Sequence, residues 1–199
     1  MVQVMADFVG YKGSIHTFIK MACALDKNGV DAIVVSADLW AHDIFVLCGA
    51  FATHTQKIKL AFVTNPYSWL PALVARSAAT LASLSNGCVR ICFCAGGSFT
   101  LKPLDIPMWN KPVTRLREAI QICRQMLTGK SIDYHGKIFT LNNTHIDFPF
   151  PDETPGIFIA GRGLKIMALT GELADGAFIE PISTVYENKI MAIIEQEAY

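Results

Sequence analysis

The chain has 199 residues, 52% of them hydrophobic and 17% charged, too apolar for disorder and long enough for one substantial core. Lysine plus arginine equals aspartate plus glutamate at 17 each, so the balance offers nothing to nucleic acid or to an acidic membrane surface. Mean hydropathy is +0.35, yet no run reaches the roughly 20 apolar residues of a membrane span; a sheet buried on both faces accounts for the value.

Asp7 and Lys12 interrupt the N-terminus, so no signal peptide is expected. Six cysteines without framework spacing read as reduced thiols of a cytoplasmic protein. Val2 to Val9 reads as a first strand and Gly10 to Ser14 as a loop, with Ser14 an N-cap. Ile15 to Asn28 has helical spacing and Asn28-Gly29 ends it. Val30 to Ser36 is a β-branched second strand, and Asp43 caps a helix running to about His54. A third strand begins at Lys57 and passes into the loop Thr64-Asn65-Pro66-Tyr67. Pro71 then opens a helix with Val74, Ala78, Leu81 and Ser85 on one stripe.

Cys88 to Cys94 is the fourth strand, followed by Ala95-Gly96-Gly97-Ser98 and a loop with Pro103, Pro107 and Pro112. The next helix carries the stripe Leu116, Ile120, Cys123 and Leu127. Ser131 to Leu141 reads as a β-hairpin turning near His135-Gly136. Gly156 to Ala160 is the fifth strand, Gly161-Arg162-Gly163 its loop, and Leu164 to Leu173 a helix. Asp175 to Ile179 and Ser183 to about Glu197 give a sixth strand and a final helix.

Strands alternating with helices predict an α/β fold with parallel β/α units in one domain over residues 1–199. The count is six, whereas a closed (β/α)₈ TIM barrel needs eight units and typically about 250 residues. The barrel is therefore expected to be incomplete, with a β-hairpin insertion. Open first and last edges are an association liability, so a homo-oligomer, most simply a dimer, is expected.

Several loops in one order carry a family resemblance. They are Asp38-Leu39-Trp40, Thr64-Asn65-Pro66-Tyr67, Ala95-Gly96, the Tyr134-His135-Gly136 hairpin, Gly161-Arg162-Gly163, and Gly171-Glu172-Leu173-Ala174-Asp175-Gly176. Their order and spacing resemble the luciferase-like monooxygenase superfamily, nearest to deazaflavin-dependent reductases of the methylenetetrahydromethanopterin reductase type. The resemblance implies a TIM barrel with a flavin or 8-hydroxy-5-deazaflavin (coenzyme F420) across the carboxyl ends of the strands, and hydride transfer to a small substrate. It also implies a non-prolyl cis peptide at the end of the third strand, here joining Phe62 and Val63.

Asp38 is the candidate catalytic residue, near the hydride acceptor; its bland reading is a loop aspartate. It stands where the family usually has histidine, and Ala37 where it has aspartate. Val63, Thr64 and Asn65 at a strand end are candidate cofactor contacts, although Asn-Pro is also ordinary turn chemistry. Trp69-Leu70 replaces a pair that is commonly polar. Ala95, Gly96 and Gly97 would bring backbone N–H groups to a phosphate or ring carbonyl; the family often has an acid at Gly97. Ala160, Gly161, Arg162 and Gly163 open a helix after a strand and suit a phosphate; the alternative is a β–α turn with a surface arginine. Cys92 and Cys94 stand where glycines are usual and read as small core thiols, so no metal site is expected. The histidines show no metal-ligand spacing.

Three readings follow: a deazaflavin-dependent oxidoreductase, an FMN-dependent member of the same superfamily, and a truncated, non-catalytic binding or assembly subunit.

Overall fold

The computed structural model describes residues 4–8, 13–108, 110–151, 154–179 and 184–197. In chain order they form β1 (Met5–Asp7), α1 (Ile15–Lys27), β2 (Ala32–Ser36), α2 (Ile44–Ala52), β3 (Lys59–Thr64), α3 (Pro71–Leu84) and β4 (Val89–Cys94). A short helix α4 (Ser98–Leu101) runs into a 3₁₀ turn (Lys102–Leu104), followed by α5 (Pro112–Met126). The strands β5 (Ile132–His135) and β6 (Thr140–Thr144) pair as an antiparallel hairpin. Then come β7 (Gly156–Ala160), α6 (Leu164–Leu173), β8 (Gly176–Phe178) and α7 (Thr184–Glu197).

Local chemistry sets several of these boundaries. Ser14 Oγ accepts the Thr17 amide at 3.2 Å and starts α1. Asp43 Oδ1 accepts the Phe45 and Val46 amides at 3.0 and 2.9 Å and starts α2. Pro71 and Pro112 occupy the first turns of α3 and α5, where a missing N–H costs nothing.

Six strands form one parallel sheet in the order β1-β2-β3-β4-β7-β8, curled into a half-barrel. One face carries Ile33, Val35, Leu60, Phe62, Ile91, Phe93, Ile157 and Ile159. These pack with Val74, Ala78, Leu116, Ile120 and Met167 of the helices as the main core. The other face is organised in layers. Asp7, Val34, Ala61, Arg90 and Gly156 stand in register across five strands. Ser36, Val63, Cys92, Phe158 and Gly176 form the next layer toward the carboxyl ends. Cys94, Ala160 and Phe178 form the layer at the rim.

The sequence and the structure differ in detail. The first strand covers Met5–Asp7 rather than Val2–Val9, and residues 1–3 and 9–12 lie outside the described residues. The second strand starts at Ala32 rather than Val30, and the Asp31 carboxylate just before it accepts the Val4 amide at 2.7 Å. The loop expected after Gly97 contains α4 and the 3₁₀ turn; Pro103 sits in the first positions of that turn, where proline fits, so it does not exclude helix. Helix α2 ends at Ala52, two residues early, with Thr53 as its C-cap. Ser183, the expected start of the last helix, lies outside the described residues.

Candidate functional site

Parallel strands in the order β2-β3-β4-β7 place four carboxyl-end loops consecutively along one rim. Asp38 follows β2, Val63–Asn65 close β3, Ala95–Gly97 leave β4, and Ala160–Gly163 join β7 to α6. The loops are bonded to their neighbours. The Ala37 amide donates to the Val63 carbonyl at 2.9 Å, and the Gly161 amide to the Phe178 carbonyl at 3.2 Å. The exposed rings of Trp40 and Phe99 lie 5.3 Å apart and link the β2 loop to α4.

Asp38 is an electrostatically perturbed carboxyl on this rim. Partial burial raises its carboxyl above the usual range and the charge of Asp7 adds to that, while a hydrogen bond with the Thr100 hydroxyl opposes it. Asp38 therefore keeps its proton to higher pH than an ordinary aspartate, as suits a group that gives or takes a proton. The sequence reading missed Asp7 and Thr100. Strand alternation puts Asp7 on the layered face of β1, at the strand's carboxyl end, and that was the available signal.

Thr64 is 1% exposed and its Oγ1 has no hydrogen-bond partner among the described residues. Asn65 is committed to its own turn, its Oδ1 accepting the Tyr67 amide at 3.1 Å and the Ser68 amide at 2.9 Å. That turn is held from α5: Arg115 donates to the Pro66 carbonyl at 3.3 Å, and its guanidinium lies 4.4 Å from the Tyr67 ring centroid. The Phe62–Val63 peptide is trans, which corrects the cis bond implied by the resemblance. β3 keeps unbroken parallel register through that bond to Thr64, and a non-proline cis bond costs about 3 kcal/mol or more. Trp69 packs against Phe45 at 5.1 Å, which in turn packs against Phe62, and Leu70 stays exposed.

Gly96 has φ +75°, and a Cβ there would come within 2.9 Å of Leu101 Cδ1, so any side chain at the turn onto α4 would be strained. Burial pushes the Cys92 and Cys94 thiols up, which marks them as protonated packing groups. No group of three or more metal-ligating side chains is assembled among the described residues. Gly163 caps α6 by accepting the Ile166 and Met167 amides at 2.9 and 3.0 Å. The first-turn amides of α6 point toward the Gly161–Gly163 loop, where Arg162 is exposed. The structure thus brings Asp38, Val63, Thr64, Asn65, Ala95, Gly96, Gly97, Ala160, Gly161, Arg162 and Gly163 to one rim, with Asn65 turned to a loop-shaping role.

The profile of the family described as luciferase-like monooxygenase matches residues 3–196. A 5,10-methylenetetrahydromethanopterin reductase from Archaeoglobus fulgidus is 34% identical over 179 residues, covering 89% of this chain and 52% of that protein. An F420-dependent glucose-6-phosphate dehydrogenase from Amycolatopsis mediterranei is 24% identical over 212 residues, covering 96% and 63%. In fold, the coenzyme F420-dependent tetrahydromethanopterin reductase from Methanopyrus kandleri matches with a TM-score of 0.92 at 21% identity, covering 99% of this chain and 61% of that one. The monooxygenase RslO1 from Streptomyces bottropensis matches with a TM-score of 0.85 at 14% identity, covering 99% and 66%. The chain spans about half to two thirds of the length of these proteins.

Proposed function

The chain belongs to the luciferase-like monooxygenase family, and on that premise we propose that its rim binds an 8-hydroxy-5-deazaflavin and serves hydride transfer to a small substrate. The observation that carries this reading is the gathering of four loops at one rim beside the Asp38 carboxyl, which burial and the charge of Asp7 push above the usual range. The residues fit a cofactor placed there. Val63 and Ala160 offer apolar surface on the layered face, and the Gly161–Gly163 loop leads into the first-turn amides of α6. The relative and the structural neighbour named for F420 dependence support deazaflavin over other redox groups.

The roles divide as follows. The Ala95–Gly97 backbone would hold the ring, the Thr64 side chain being turned with Phe62 and Phe93 to the helix-packed face, and Gly161–Gly163 with the α6 amides would hold phosphate. Val63 and Ala160 would form the apolar wall against the ring. When bound, the deazaflavin supplies the hydride. Asp38, with Asp7 beside it, would hold the proton that balances charge as hydride moves. FMN is a second reading, favoured by the fold shared with flavin enzymes such as a riboflavin lyase in complex with modified FMN. The exposed Leu70 beside Trp69 makes the mouth more apolar, which favours an apolar or aromatic substrate over a sugar phosphate.

Fluorescence titration of the purified chain with deazaflavin and with FMN tests the proposal. Saturable deazaflavin binding is expected. Asp38→Asn is expected to keep that binding within about tenfold while slowing hydride transfer by about a hundredfold or more. Failure of both cofactors to bind would refute the enzyme reading.

A further inference from the structure

We propose that Arg90 is a ligand-binding residue whose guanidinium is the counter-charge for the ring anion of the bound 8-hydroxydeazaflavin. This rests on the cofactor reading above and adds which part of the site selects the deazaflavin. Arg90 lies on the layered face of β4, between Ala61 of β3 and Gly156 of β7. It is 8% exposed, and its Nη1 is buried with no hydrogen-bond partner among the described residues. Arg90 stands two layers below Cys94 and Ala160 at the rim, and its guanidinium lies 5.2 Å from the ring centroid of Phe158 in the layer between.

Among the described residues, no carboxylate is placed in register beside it on this face. The in-register residues of β2, β3, β7 and β8 are Val34, Ser36, Ala61, Val63, Gly156, Phe158, Ala160, Gly176 and Phe178. Asp7 is three strands away in the same layer and couples to Asp38. Asp175, behind Gly156, has both oxygens engaged, Oδ1 by Arg124 at 2.9 Å and Oδ2 by the Ile157 amide at 2.7 Å. A buried guanidinium without an anion destabilises the fold that holds it, and natural folds keep such groups where function uses them.

The chemistry of the ring matches the site. The 8-hydroxyl is a phenol in conjugation with the pyrimidine carbonyls, so its anion spreads negative charge onto planar oxygens. A guanidinium recognises planar oxyanions through paired N–H donors. FMN carries a methyl group in place of that hydroxyl and forms no such anion near neutral pH, so Arg90 discriminates between the two.

The test compares wild type, Arg90→Met and Arg90→Lys in two measurements: urea unfolding without ligand, and absorbance-monitored titration with F420 and with FMN between pH 5 and 8. Wild type should bind F420 more weakly as acid protonates the ring. Arg90→Met should unfold at the same or a higher urea concentration, lose about ten- to a hundredfold in F420 affinity, and lose the pH dependence. Its FMN affinity should be unchanged, and Arg90→Lys should retain part of the F420 preference. Arg90→Met with wild-type F420 affinity and pH dependence would overturn this inference while leaving the cofactor reading intact. A lower urea midpoint for Arg90→Met would show a protein counter-charge and overturn it as well. Absence of F420 binding by wild type would overturn both.

Discussion

Asp26, near the end of α1, accepts the backbone amides of Gln56, Lys57 and Ile58 at 2.8, 3.0 and 2.8 Å. Burial pushes its carboxyl up, but the three donors and the Lys57 charge outweigh that and hold it below the usual range. Because the folded value is the lower one, its stabilisation is present above the ordinary aspartate range and is lost as pH falls through the folded value. Asp26→Asn should therefore cost about 1 kcal/mol at neutral pH and flatten the acid limb of stability. Urea midpoints at neutral and acidic pH check this, and an unchanged acid limb would contradict it. Asp38 has the opposite sign. Its folded value is raised, so it costs stability as pH rises from the ordinary aspartate range through the folded value. Asp38→Asn should relieve that cost at neutral pH while impairing activity, the pattern expected where a fold gives up stability for chemistry.

Among the elements, the β5–β6 hairpin is the addition to the repeating unit, and one buried side chain fixes it. Glu118 of α5 is 5% exposed and accepts the amides of Lys137, Ile138 and Phe139 at 2.7, 3.0 and 3.0 Å. A Cβ on Gly136 would collide with that carboxylate and with the Tyr134 ring. Gly136→Ala should cost about 1–3 kcal/mol by overpacking, read as a lower urea midpoint with native-like circular dichroism; an unchanged midpoint would mean that the hairpin floats free of α5. The sequence exposed elements of this kind where punctuation and periodicity agreed. β7 and α6 fall at the expected residues because glycines bracket the strand and start the helix. The stripes of α3 and α5 are buried as read, Ser85 and Leu127 included. Agreement ended at 98–104, where a four-residue helix is too short to show a period and prolines can mark a helical start as well as a break.

At the scale of the molecule, the parallel order β1-β2-β3-β4-β7-β8 is what turns separate loops into one rim. Alternation in the sequence implied the β/α units, and the strand ends implied where chemistry gathers. Neither could show that the charge of Asp7 acts on Asp38, that Trp40 reaches Phe99, or that Arg90 lies against Phe158, because each depends on how separate elements are brought together in space. Asn65 is the converse case: its Asn-Pro turn chemistry was readable locally and accounts for its side-chain acceptor. Among the described residues no helix is long and apolar enough to cross a membrane, and β1 and β8 stand at the two ends of the sheet order.

The central claim is that the cofactor occupies this rim, and hydrogen–deuterium exchange with and without saturating deazaflavin tests it most directly. The account predicts slower exchange in residues 36–41, 63–68, 94–101 and 160–166, with the hairpin at 132–144 unchanged. Protection confined to the hairpin or to the outer helices, with the four rim loops unaffected, would contradict it.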